Sequence, residues 1–140
     1  MKTREKYDYF KEKRPKSVVI VKEGSFYKTY GDDATIIWHL FDYKWNNDAI
    51  AFGTTPYTKV ISKLVQIGLG YTVITTDEDY VRGDSDEIYD LYLRIATLNY
   101  EKYKKKEELL QLFNEVIDDN EVYEPLKKFL EELKGGEVHE

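Results

Sequence analysis

Between Pro15 and Thr76, short apolar runs rich in β-branched residues alternate with segments of helical period, and glycine, proline or a polar cluster separates them. That punctuation restricts the chain to a small sheet with helices packed on it. Residues from about Lys2 to Lys13 read as a short helix ended by Pro15, and Ser17–Lys22 as a buried strand. Gly24 breaks the strand, and Phe26–Tyr30 resumes as a second strand or a bent extension. Strand alternation puts Phe26, Lys28 and Tyr30 on one face, with Tyr27 and Thr29 on the other. Asp32 or Asp33 is the expected cap of a helix reaching about Leu40 or Phe41, with Ile36, Ile37, Leu40 and Phe41 inward. Asn46-Asn47-Asp48 marks a turn before a strand at Ala49–Phe52. Thr55 as N-cap and Pro56 in the first turn open a helix with Val60, Ile61, Leu64, Val65 and Ile67 on its apolar face. Gly68 and Gly70 stop it, and Tyr71–Thr76 is a further strand. The predicted class is α/β (α+β), a small mixed sheet flanked by helices.

The stretch Gly24-Ser25-Phe26-Tyr27-Lys28-Thr29-Tyr30-Gly31-Asp32-Asp33-Ala34 resembles the GDFYELFGEDA-type motif of the MutS mismatch-recognition domain. Gly24, Phe26, Tyr27, Gly31, Asp33 and Ala34 match the pattern. Gly53-Thr54-Thr55-Pro56-Tyr57 resembles the family's Gly-x-Pro-Tyr segment with one extra residue, and Gly70-Tyr71-Thr72-Val73 its Gly-Tyr-x-Val strand. The resemblance runs from roughly Tyr7 to Glu78. It implies a MutS domain I-like fold and a DNA-binding module of the mismatch-repair class.

In that family the motif Phe stacks on a mispaired base, and a Glu two residues later hydrogen-bonds to it. Phe26 keeps the wedge; Lys28 stands at the Glu position. An aromatic wedge senses a mispair because unstacking is cheapest there. A lysine cannot accept a hydrogen bond, and favours phosphate or the O6 and N7 acceptors of guanine. Some eukaryotic MutS relatives lack the Phe-x-Glu pair and do not read the mismatch themselves. The expected nucleic-acid-binding residues are Phe26, Tyr27, Lys28, Lys22, Trp45 and Lys59. Trp45, in a polar loop beside Lys44 and Asn46, offers an exposed stacking surface. Trp38 reads as core.

The formal net charge of −6 opposes strong sequence-independent DNA binding, but it is unevenly spread. Residues 1–31 carry a net +5, residues 32–76 a net −1 and residues 77–140 a net −10. The basic segment holds Phe26, and a local phosphate-facing patch is its sharper reading. No cysteine is present, so disulfides and thiolate metal sites are excluded. His39 and His139 are the only histidines, and no phosphate-binding GxxxxGK[ST] loop occurs. No catalytic residue, metal site or cofactor is expected, nor a membrane span or secretory signal; a cytoplasmic location is the simplest expectation.

After Glu78 the resemblance ends. Asp84-Ser85-Asp86-Glu87 has the form of a capping box before a long helix. Ile88, Leu91, Ile95 and Leu98 keep a three-four spacing that Leu109, Leu112 and Val116 continue, with Lys102 and Lys105 in phase between them. Two adjacent lysine layers suit an unbroken coiled coil poorly, which predicts a break or an exposed stretch near Tyr103–Lys106. A last helix runs from about Tyr123 to Lys134, and Gly135-Gly136 starts a frayed tail. The expected division is a MutS-like domain over 1–83, a helical extension packed on or beside it over 84–134, and a tail over 135–140. The leading expectation is a stand-alone, non-enzymatic DNA-binding module, weak alone. The alternative is a protein-interaction or regulatory module that keeps the fold without DNA, docking a partner or self-associating through residues 84–134.

Overall fold

Val18, Val19, Ile20 and Val21 are all fully buried, which a strand achieves only when both its faces are covered. The computed structural model describes residues 2–75, 79–81 and 86–138. In it, β1 (Val18–Glu23) lies inside a six-stranded mixed sheet. The other strands are β2 (Phe26–Tyr30), β3 (Trp45–Asn46), β4 (Ala49–Phe52), β5 (Tyr71–Ile74) and β6 (Asp79–Val81), in the order β3-β4-β2-β1-β5-β6. Only β1 and β5 pair in parallel; the remaining neighbours are antiparallel.

Alternation along β1 divides the core in two. Val18 and Ile20 join Ile36, Ile37, Val60 and Leu64 under α2 (Gly31–Phe41) and α3 (Thr54–Ile67). Tyr89 and Ala96 of α4 (Asp86–Ile117) belong to the same cluster. Val19 and Val21 turn to the other face, where Tyr7 of α1 (Thr3–Lys13) covers them with Tyr30 and Ile74. The chain divides between Tyr100 and Glu101 into two compact units. The second holds the rest of α4 and α5 (Asn120–Val138). No described helix is long and apolar enough to cross a membrane.

Several local expectations change. Neither Asp32 nor Asp33 caps α2: Tyr30 stands at the N-cap position without a side-chain bond, and Asp33 is completely buried. Thr55 does not cap α3, which starts at Thr54 with Gly53 at the cap; the Gly53 carbonyl accepts from Tyr57 N–H at 2.9 Å. Val65 is 38% exposed, outside the packed face. β6 has no apolar run to announce it; it adds to the sheet through backbone pairing with β5. Of the break or exposed stretch expected near Tyr103–Lys106, the second is found: α4 is unbroken there and its side chains are exposed. Gly135 and Gly136 do not end α5, which continues to Val138. The capping residue Asp84 and the tail His139 lie outside the described residues.

Candidate nucleic-acid interface

β1 and β2 are joined by the two-residue turn Gly24-Ser25. Gly24 has φ +61°, a left-handed value that glycine adopts without penalty, and no atom lies within 4 Å of where its Cβ would be. The turn sets the register: Glu23 opposite Phe26, Lys22 opposite Tyr27, Val21 opposite Lys28. Directly opposed residues share a face. Glu23, Phe26, Val21 and Lys28 therefore lie on the α1 side, and Lys22 and Tyr27 on the other.

Phe26 is 53% exposed, the most exposed aromatic side chain described in the first unit. Lys28 is half-buried, and its Nζ donates to Glu23 Oε1 at 3.1 Å. The Thr3 hydroxyl, at the start of α1, donates to Glu23 Oε2. These bonds, Thr3 first and Lys28 next, hold the Glu23 carboxyl below its ordinary pKa. Nearby on α1, Arg4 pairs with Asp48 and, at 3.1 Å, with Asp8, while its guanidinium lies 4.7 Å from the centre of the Tyr30 ring.

The other expected residues sit apart from Phe26. Tyr27 is buried, stacked on Tyr57 at 3.9 Å between ring centres and facing Phe52 at 6.2 Å. It is a core ring with no surface to offer. Lys22 is exposed on the face opposite Phe26. Trp45 lies in β3, not in an exposed polar loop. It is half-buried, its ring centre 5.3 Å from that of Tyr100, and its buried Nε1 has no acceptor among the described residues. Lys59 is exposed on α3. The structure thus brings Phe26 and Lys28 together and leaves Lys22, Tyr27, Trp45 and Lys59 elsewhere. The residue that sequence reasoning passed over is Glu23. A two-residue turn at Gly24-Ser25 was the signal that pairs it with Phe26.

Asp33, an acidic position that matches the motif, anchors the hairpin from behind. β1 and β2 stop pairing beyond Val21 and Lys28, which leaves the Val19 backbone without strand partners on that side. Asp33 Oδ2 accepts Val19 N–H at 3.0 Å, and the Thr29 hydroxyl donates to Val19 O at 2.9 Å. Tyr7 donates to Asp33 Oδ2 at 2.7 Å, Tyr89 to Oδ1 at 2.6 Å and Lys11 to Oδ1 at 2.7 Å. Every partner is a donor, as a buried carboxylate requires. Burial pushes the Asp33 carboxyl up, and Lys11, Tyr89 and Tyr7 oppose it. Burial likewise pushes the Tyr7 and Tyr89 phenols up. The motif therefore contains one outward aromatic and one internal anchor that ties α1, β1, α2 and α4 together.

His39 is half-buried with Nδ1 3.1 Å from Asn99 Nδ2, and no described group of acidic residues or histidines could hold a metal ion. No curated protein matches the chain. Residues 2–80, more than half of the sequence, match the family described as MutS domain I. The match spans α1 through most of β6 and includes the hairpin that carries Phe26. On that match and this fold, the chain belongs to the MutS domain I family.

Proposed function

We propose that the chain is a non-enzymatic DNA-binding module that engages distorted or mismatched duplex through Phe26. The observation that carries this reading is the exposure of Phe26 at the end of a rigidly registered hairpin. Solvating an aromatic ring of that size is unfavourable, and a hairpin anchored from behind by Asp33 keeps it projecting. A partly unstacked base step is the surface such a ring fits best. Lys28 and Glu23 flank the ring, so the site offers both a cationic donor and a carboxylate acceptor. Glu23 supplies from across the hairpin the acceptor that Lys28 cannot. The excess of basic residues over 1–31 favours phosphate contact, and the overall −6 keeps the affinity modest.

Fluorescence anisotropy with matched and mismatched duplexes, at low and moderate salt, tests the proposal. Salt-sensitive binding that Phe26→Ala weakens more on the mismatched duplex is the expected result. Absence of binding at low salt by both proteins would reject it. A second reading, an interaction module acting through residues 84–134, draws on the exposed apolar side chains of the second unit.

A further inference from the structure

The second unit does not close a core. Leu109, Leu112, Phe113 and Val116 of α4 face Leu126, Phe129 and Leu130 of α5 across an open apolar groove of about 540 Å³. Leu109 is 66% exposed, Leu112 56% and Phe129 57%, values that belong to surface residues and not to a helix seam. With Leu110, which also lines the groove, these side chains expose on the order of 700 Å², comparable to the ~800 Å² per partner of a standard interface.

Charge along α4 indicates what fills the groove. Lys102, Lys104, Lys105 and Lys106 cluster over 102–106; Glu107, Glu108 and Glu115 follow on α4, and Asp118 and Asp119 stand in the turn just past its end at Ile117. A segment with a basic start and an acidic remainder is complementary to itself when reversed. An antiparallel alignment that sets Leu109 against Leu112 of a second copy also sets Lys102 against Asp119 and Lys106 against Glu115. The lysine layers that a parallel coiled coil would exclude gain acidic partners in this arrangement. The two-fold operation repeats every pair, as an isologous interface requires. A nucleic acid or anionic surface is disfavoured, because residues 101–138 carry seven Lys against eleven Asp or Glu.

We infer that residues 101–138 are a homodimerisation element, in which α4 of each copy lies antiparallel in the α4–α5 groove of the other and completes a four-helix core. The inference is independent of the DNA reading, since the mass is measured without DNA.

Sedimentation equilibrium of the full chain at micromolar concentration tests it, with two charge-reversed variants. One carries Lys106→Glu. The other carries Glu115→Lys, the residue that the alignment sets against it. The wild type is expected at twice the 16.6 kDa of one chain. Each variant alone should self-associate at least about 100-fold more weakly, because like charges then face each other. An equimolar mixture should regain the dimer mass, because the reversed charges then complement. Circular dichroism of each variant separates this result from loss of helix. A wild type that stays monomeric up to millimolar concentration, variants that dimerise as the wild type does, or a mixture that stays monomeric would each overturn the inference.

Discussion

Glu23 and Phe26 stand directly opposite each other across the β1–β2 hairpin, on the same face of the sheet. The pairing places a carboxylate beside the exposed ring although the position two residues after Phe26 is a lysine. Lys28 reaches back to bind that carboxylate at 3.1 Å. The acid beside the ring belongs to β1, and the lysine that stands at the Glu position of the Phe-x-Glu pattern holds it.

With Glu23 as the acceptor at this site, Glu23→Leu should reduce the preference for mismatched over matched duplex, since the leucine side chain accepts no hydrogen bond. Lys28→Glu should place two carboxylates at the ring and weaken binding to both duplexes, through lost phosphate attraction. Anisotropy titrations on the two duplexes resolve these effects. Equal losses on both duplexes for Glu23→Leu would remove it from the reading role.

Phe26 and Tyr27 are adjacent in sequence and should behave oppositely. Phe26→Ala removes an exposed ring and should change unfolding stability by no more than about 0.5 kcal/mol. Tyr27→Ala removes a buried ring stacked at 3.9 Å on Tyr57 and should cost about 3 kcal/mol. Urea denaturation measures both. A Phe26→Ala loss as large as that of Tyr27→Ala would mean that Phe26 packs in the core.

Asp33→Asn keeps the shape and removes the charge. It leaves the Lys11 ammonium beside a neutral amide, and the NH2 group faces the two donors that met the oxygen it replaces, Tyr7 and Val19 N–H at Oδ2 or Tyr89 and Lys11 at Oδ1. A loss of about 3 kcal/mol is expected, against about 0.5 kcal/mol or less for Asp32→Asn at the exposed neighbour. Thermal or urea unfolding of the two variants provides the comparison. Equal effects would show that the carboxylate is not the anchor.

The Arg4–Asp48 pair links α1 to the β3–β4 turn, and it holds the Asp48 carboxyl below its ordinary value, chiefly through the hydrogen bond from Arg4. A folded-state value below the unfolded one means that stability is gained above the unfolded pKa of about 3.9 and lost as pH falls through the folded value. Both groups are about half exposed, so the contribution should stay within about 1 kcal/mol and shrink with salt. An NMR titration of the Asp48 side chain in wild type and Arg4→Ala checks the sign. The midpoint should rise in the variant, and a fall would contradict the pairing.

Much of the first unit was legible in the sequence because its signals are local. Val18–Val21 announces a strand covered on both faces, and Gly68 ends α3 in the left-handed conformation, at φ 76°. Alternation correctly put Tyr27 on the side opposite Phe26 and Lys28. What was not legible depends on partners distant in sequence. Asp33 has the composition of a helix cap, yet its donors come from positions 7, 11, 19 and 89. Trp45 sits among polar neighbours, yet its ring meets Tyr100, fifty-five positions on. β6 is assembled by strand pairing and leaves no hydrophobic trace.

The two-residue turn at Gly24-Ser25 has a consequence for how such a site can change over time. Strand side chains alternate with a period of two, so the identity of the outward ring depends on loop length as much as on residue type. Inserting one residue between Gly24 and Phe26, with the β2–β4 pairing retained, would leave Phe26 on its face but end its pairing with Glu23. Inserting one within β2 would reverse the side of every residue before it. A family member could thus gain or lose an aromatic probe by a change in spacing, with every side chain of the motif conserved.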